Sequence, residues 1–69
     1  MSSKPTLYKA VFDIPDIFKR AAMMSRAIEW FQANPDARKH YLNTYPNERE
    51  VVFTFDDRTT ALTFKLSVG

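Results

Sequence analysis

The chain has 69 residues, the length of one small domain. It contains no cysteine and a single glycine, which excludes disulfides, thiolate metal sites, cysteine nucleophiles and glycine-rich phosphate loops. Apolar residues make up 45%, charged residues 26%, and the formal net charge is +2, a globular balance without the dense basic face of a dedicated nucleic-acid binder.

Charge is spread unevenly. Residues 1–45 carry seven basic against four acidic side chains, a balance of +3; residues 46–69 carry three against four, a balance of −1. No apolar run is long enough to span a bilayer and no signal peptide is expected, so a cytoplasmic location is the expectation. A domain this small, with neither disulfides nor metal, needs dense aromatic packing or assembly with another chain. Six Phe, three Tyr and one Trp supply the first.

Residues 1–5 read as a frayed polar start and residues 6–69 as a single α+β domain. From Leu7 to Ile14 the pattern alternates, with Tyr8, Ala10, Phe12 and Ile14 on one side, and predicts a strand. A helix start follows. Asp13 is the expected cap, Asp16 the second acid of a weak capping box, and Phe12 with Ile17 a hydrophobic staple. Pro15 fits a first turn. The helix runs to about Ala33, with Ile17, Ala21, Met24, Ile28 and Phe31 as the stripe expected to face the core. Asn34-Pro35 stops it.

Two readings compete for Pro35 to Arg49. Asn34-Pro35-Asp36 can cap a short helical turn ending near Tyr41, or His40 to Tyr45 can form a strand that turns through Pro46-Asn47. The strand is preferred because Tyr, Thr and Tyr suit a pleated surface. Glu50 to Asp56 is the clearest strand, with Val51, Phe53 and Phe55 on one side. Asp56-Asp57-Arg58 reads as a turn. Beyond it Leu62, Phe64, Leu66 and Val68 alternate with Ala61, Thr63, Lys65 and Ser67, which predicts a strand closing a hairpin. The rival is a short helix capped by Asp57 with Ala61 and Phe64 inward. The expected fold class is α+β: one amphipathic helix on a small, mostly antiparallel sheet. The order is β-α-(β)-β-β, or β-α-β-β-α if the last element is helical, and either is a truncated ferredoxin-like unit.

Catalytic chemistry finds little support. His40, the only histidine, stands beside Arg38 and Lys39 and reads as a solvated loop residue. Asp56 and Asp57 are adjacent acids at an expected wet turn. Ser25 lies at the edge of the helical stripe, where bonding back to a helix carbonyl is the expected role. No enzyme activity, metal or cofactor is expected. The run VVFTFDDRTTALTF resembles the third strand and second helix of RNA-recognition domains, which stack bases on aromatic residues of that strand. The two stacking positions fall on Glu50 and Val52, so the resemblance carries fold periodicity and not base stacking.

A protein partner is the leading expectation. On a helical wheel Lys19, Met23, Arg26 and Trp30 form a ridge opposite the apolar stripe, and Trp, Met and Arg are types enriched at interfaces. The bland alternative folds Trp30 over the helix end beneath the 35–45 segment. A nucleic-acid module using Arg38, Lys39, Tyr41 and Tyr45 is the second reading. Self-association through an open sheet edge or the Trp30 ridge is the third.

Phe55, Asp56, Ala61, Phe64, Lys65 and Leu66 form an acidic turn followed by Ala-x-x-Phe-Lys-Leu. This pattern resembles the C-terminal third of small accessory proteins of large tailed bacteriophages. Thr60 stands where an acid is common in that pattern. The resemblance implies a factor that binds and redirects host machinery in the host cytoplasm. It assigns no functional residue.

Overall fold

Alternation makes Tyr8–Asp13 a strand, β1, that turns Ala10 and Phe12 into the core. The computed structural model describes residues 6–69 from this point of view; the expected frayed start at residues 1–5 lies outside them. Proline at 15 holds Ile14 out of helical geometry, so the chain stays extended beyond Asp13. The next helix, α1 (Ile17–Ala33), is therefore capped by Asp16 and not by Asp13. The Asp16 carboxylate accepts hydrogen bonds from the backbone N–H groups of Phe18 at 2.8 Å and Lys19 at 3.3 Å. Asp13 instead lies 3.5 Å from the Arg49 guanidinium.

Both readings of the middle segment are realised in succession. Pro35–Arg38 is a single helical turn, α2, and Tyr41–Pro46 is a strand, β2. β3 (Glu50–Phe55) pairs antiparallel with β2 on one side and β1 on the other, giving the order β1-β3-β2. β1 and β2 run parallel with β3 between them, which is the ferredoxin-like arrangement without its fourth strand. The register of β2 slips between Tyr41 and Asn43, leaving Leu42 as a bulge.

The last element corrects the preferred reading. Arg58–Val68 is a helix, α3, and not a strand. Asp57 caps it, accepting from the Thr60 N–H at 2.9 Å and the Thr60 hydroxyl at 2.7 Å. Thr60, Ala61, Phe64 and Val68 turn inward at helical spacing, while Leu62 and Leu66 remain exposed. The period-two pattern at 62, 64, 66 and 68 is real in sequence, but only two of its four members are buried. The α+β class stands, in the variant that ends on a short helix.

The helices lie on one face of the sheet. Their buried residues join Ala10, Phe12, Val51, Phe53 and Phe55 in a single cluster. The body is two layers thick and measures 16 Å along its shortest axis. Phe64, fully buried, sits among the rings of Phe12, Trp30, Phe31, Phe53 and Phe55.

The Asp57 carboxyl is held below its ordinary value of 3.8, chiefly by the hydrogen bond from the Thr60 side chain and then by that from the Thr60 backbone. A carboxyl lowered on folding stabilises the fold above its unfolded value and loses that contribution as pH falls through the folded one. Acid titration followed by circular dichroism should therefore show α3 weakening below about pH 4. Asp57→Asn is expected to lower the urea midpoint at pH 7 and to flatten this acid limb. An unchanged acid limb in the variant would remove Asp57 as its source.

Candidate docking surface

The rotation of α1 about its axis decides which residues a partner can meet. The inward side carries Arg20, Met23, Ala27, Trp30 and Phe31, roughly a quarter turn from the stripe the sequence suggests. Met23 and Ala27 are each 1% exposed. Polar and aromatic contacts fix this rotation together. At the N-terminal end, the Arg20 guanidinium donates to the Ile14 carbonyl at 2.6 Å and to the Glu48 carbonyl, tying the helix to two loops at one end of the sheet. At the C-terminal end, Phe31 stacks on Phe64 at 5.3 Å, and Trp30 meets Phe64 edge-on at 5.3 Å.

The expected docking ridge is therefore dispersed. Met23 is core and Trp30 is half-buried under α3, while Lys19 and Arg26 stay exposed. Its premise, a stranded Trp and Met, fails because α1 turns Met23 into the core and the segment expected to be a strand is a helix whose Phe64 packs on the indole. The expected staple fails too: Phe12 is buried and Ile17 faces water.

The predicted core stripe is instead the outer surface. Ile17, Phe18, Ala21, Met24 and Ile28 are exposed, Phe18 by 83% and Ile17 by 72%. Only Phe31 of the original stripe is buried. Beside Met24 and Ile28 a groove of about 470 Å³ runs toward Pro35, Arg38 and Tyr41, with Phe31 in its floor. Five apolar side chains on one helical face, continuous with an apolar groove, form the kind of patch that marks an interaction site. The hydrophobic stripe itself was legible in the sequence; which way it faced was not.

The basic and aromatic set at 38–45 does not form one surface either. Arg38 lies over the Tyr41 ring at 5.1 Å, and Tyr41 packs on Phe31 at 4.7 Å. Lys39 reaches Asp36 at 3.6 Å. Tyr45 pairs across from Val52, on the sheet face away from the helices. Residues four apart on a regular strand would share a face; the bulge at Leu42 sends Tyr41 and Tyr45 to opposite faces. Glu50 and Val52 share that outer face of β3, and neither offers a ring.

His40 is not a free loop residue. Its Nδ1 lies 2.8 Å from the Asp56 carboxylate, and the Asp56 backbone N–H donates to the His40 carbonyl at 3.0 Å. The pair pins the start of β2 to the end of β3. Asp56 and Asp57 accordingly hold separate structural positions in a strand-to-helix junction, not the tip of a hairpin. Ser25 is exposed on the outer side of α1.

Among the described residues, no group of three or more His, Asp or Glu side chains converges as a metal site. No helix among them is long and apolar enough to cross a membrane. No protein-family model, curated protein or solved structure matches the chain.

Proposed function

We propose that the protein is a non-enzymatic interaction module that docks a protein partner through the outer face of α1. The exposed row Ile17, Phe18, Ala21, Met24 and Ile28 carries this reading. A small domain with a limited core gains ~1.5–3 kcal/mol for each Phe or Ile side chain it buries, yet these are left in water. A partner's apolar groove or helix would recover that energy, with Arg38 on the adjoining groove as a charged neighbour. The likeness of the C-terminal segment to phage accessory proteins supports a partner among bacterial host proteins, met in the host cytoplasm. Nucleic acid is a poorer occupant, because Tyr41 is committed to the core and Tyr45 stands on the far side of the sheet.

The double variant Phe18→Glu with Ile28→Glu tests the proposal. Both side chains are exposed, so far-UV circular dichroism and the urea midpoint should be retained. Affinity capture from a bacterial lysate is expected to recover a partner with the parent protein and lose it, by about tenfold or more, with the variant. Equal recovery by a folded variant would discard this face. Light scattering at rising concentration identifies the case in which the occupant is a second copy.

A further inference from the structure

We infer that the free edge of β1 accepts an extended acidic segment of another protein as a fourth strand. This site is separate from the outer face of α1, so its failure leaves the proposed function standing.

β1 pairs with β3 alone. The Ile14 N–H bonds toward the β3 side, to the Arg49 carbonyl at 2.7 Å. Strand alternation then directs the backbone groups of Lys9, Val11 and Asp13 outward. Among the described residues one of these groups has a partner: the Val11 carbonyl accepts from the Lys65 ammonium, which reaches down from α3 and also lies 4.5 Å from the Phe12 ring centre. A lysine on a free edge discourages indiscriminate pairing.

A groove of about 450 Å³ follows this edge, between Leu7 and Tyr8 on one side and Ala61 and Leu62 on the other. Leu7 is 50% exposed and Leu62 53%. In a four-stranded sheet of this topology a strand beside β1 would lie under these leucines. The charged residues that line the groove are Lys9, Arg58 and Lys65, with no carboxylate beside them, and none of the three forms an ion pair among the described residues. The edge offers backbone donors and acceptors, the leucines offer an apolar wall, and three uncompensated cations select acidic side chains. An extended strand alternating apolar and acidic residues satisfies all three, with Lys65 exchanging the Val11 carbonyl for an incoming carboxylate.

The test uses a labelled ten-residue peptide alternating Val and Glu, with a Val and Lys peptide as control. Fluorescence anisotropy should show saturable binding of the acidic peptide and about tenfold or weaker binding of the basic one. Hydrogen exchange should show new protection at the Lys9 and Val11 amides. Val11→Pro removes an outward N–H that the sheet itself does not use, and Leu62→Glu places in the groove a carboxylate that repels the acidic peptide; each should weaken binding about tenfold. Leu62 is exposed, so its variant remains decisive if the proline variant fails to fold. The inference is overturned by equal binding of both peptides, by no binding of the acidic one, or by binding that leaves the Lys9 and Val11 amides unprotected. Protection that rises with protein concentration and without peptide also overturns it, since a second copy is then the occupant.

Discussion

Phe64→Ala is expected to cost the protein about a third or more of its stability at 25 °C. The side chain is fully buried and its ring centre lies 4.6 Å from Phe53, 5.2 Å from Phe55, 5.3 Å from both Trp30 and Phe31, and 5.9 Å from Phe12. Among the described residues it is the one ring that meets rings of β1, β3 and α1 at once. Truncating a buried Phe costs ~3–5 kcal/mol, transfer and cavity terms together. A domain of this length has roughly 3–10 kcal/mol of total stability. The loss thus takes up a third of it or more. Urea unfolding followed by near-UV circular dichroism measures this directly. A variant that unfolds cooperatively with less than ~1 kcal/mol lost would mean that α3 does not pack on the sheet through this residue.

Two adjacent methionines provide the second large contrast. Met23→Ala is expected to cost ~2–5 kcal/mol, because the side chain is 1% exposed and lies among core residues. Met24→Ala should cost less than ~1 kcal/mol, because Met24 lies at the rim of the groove with 36% of its surface exposed. The two substitutions remove the same atoms from neighbouring positions of one helix. Their difference reports helix rotation and little else. The opposite ranking would restore the stripe through Ile17, Ala21 and Met24 as the buried side and remove the surface on which the proposed function rests.

The sequence carried the elements better than their mutual orientation. β1 and β3 were legible because Tyr8, Ala10 and Phe12, and Val51, Phe53 and Phe55, alternate with more polar or smaller neighbours and carry no capping signal for a helix. The extent of α1 was legible from its proline-bounded ends. Its facing was not, because α1 carries two apolar rows. Ile17, Ala21, Met24 and Ile28 form the more hydrophobic row, while Met23, Ala27 and Phe31 form the one that packs. The choice rests on Arg20, whose two carbonyl partners are six and 28 residues away, and on the packing of Trp30 and Phe31 against Phe64, and no local pattern encodes these contacts. A strand at 58–68 would leave Trp30 without its Phe64 neighbour and available for docking, whereas the helix covers it. The Asp57 and Thr60 pairing was the local signal for a helix there, and it outweighs an alternation that buries only Phe64 and Val68.

A body 16 Å thin has room for one interior stratum, and aromatic rings occupy it. Nothing can be taken inside without prising the helices from the sheet. In the proposed docking, a partner is therefore met at the surface and not in an interior cavity. Selectivity then depends on the outline of rigid ridges and rims, and a swap of one surface residue can redirect it without disturbing the scaffold beneath.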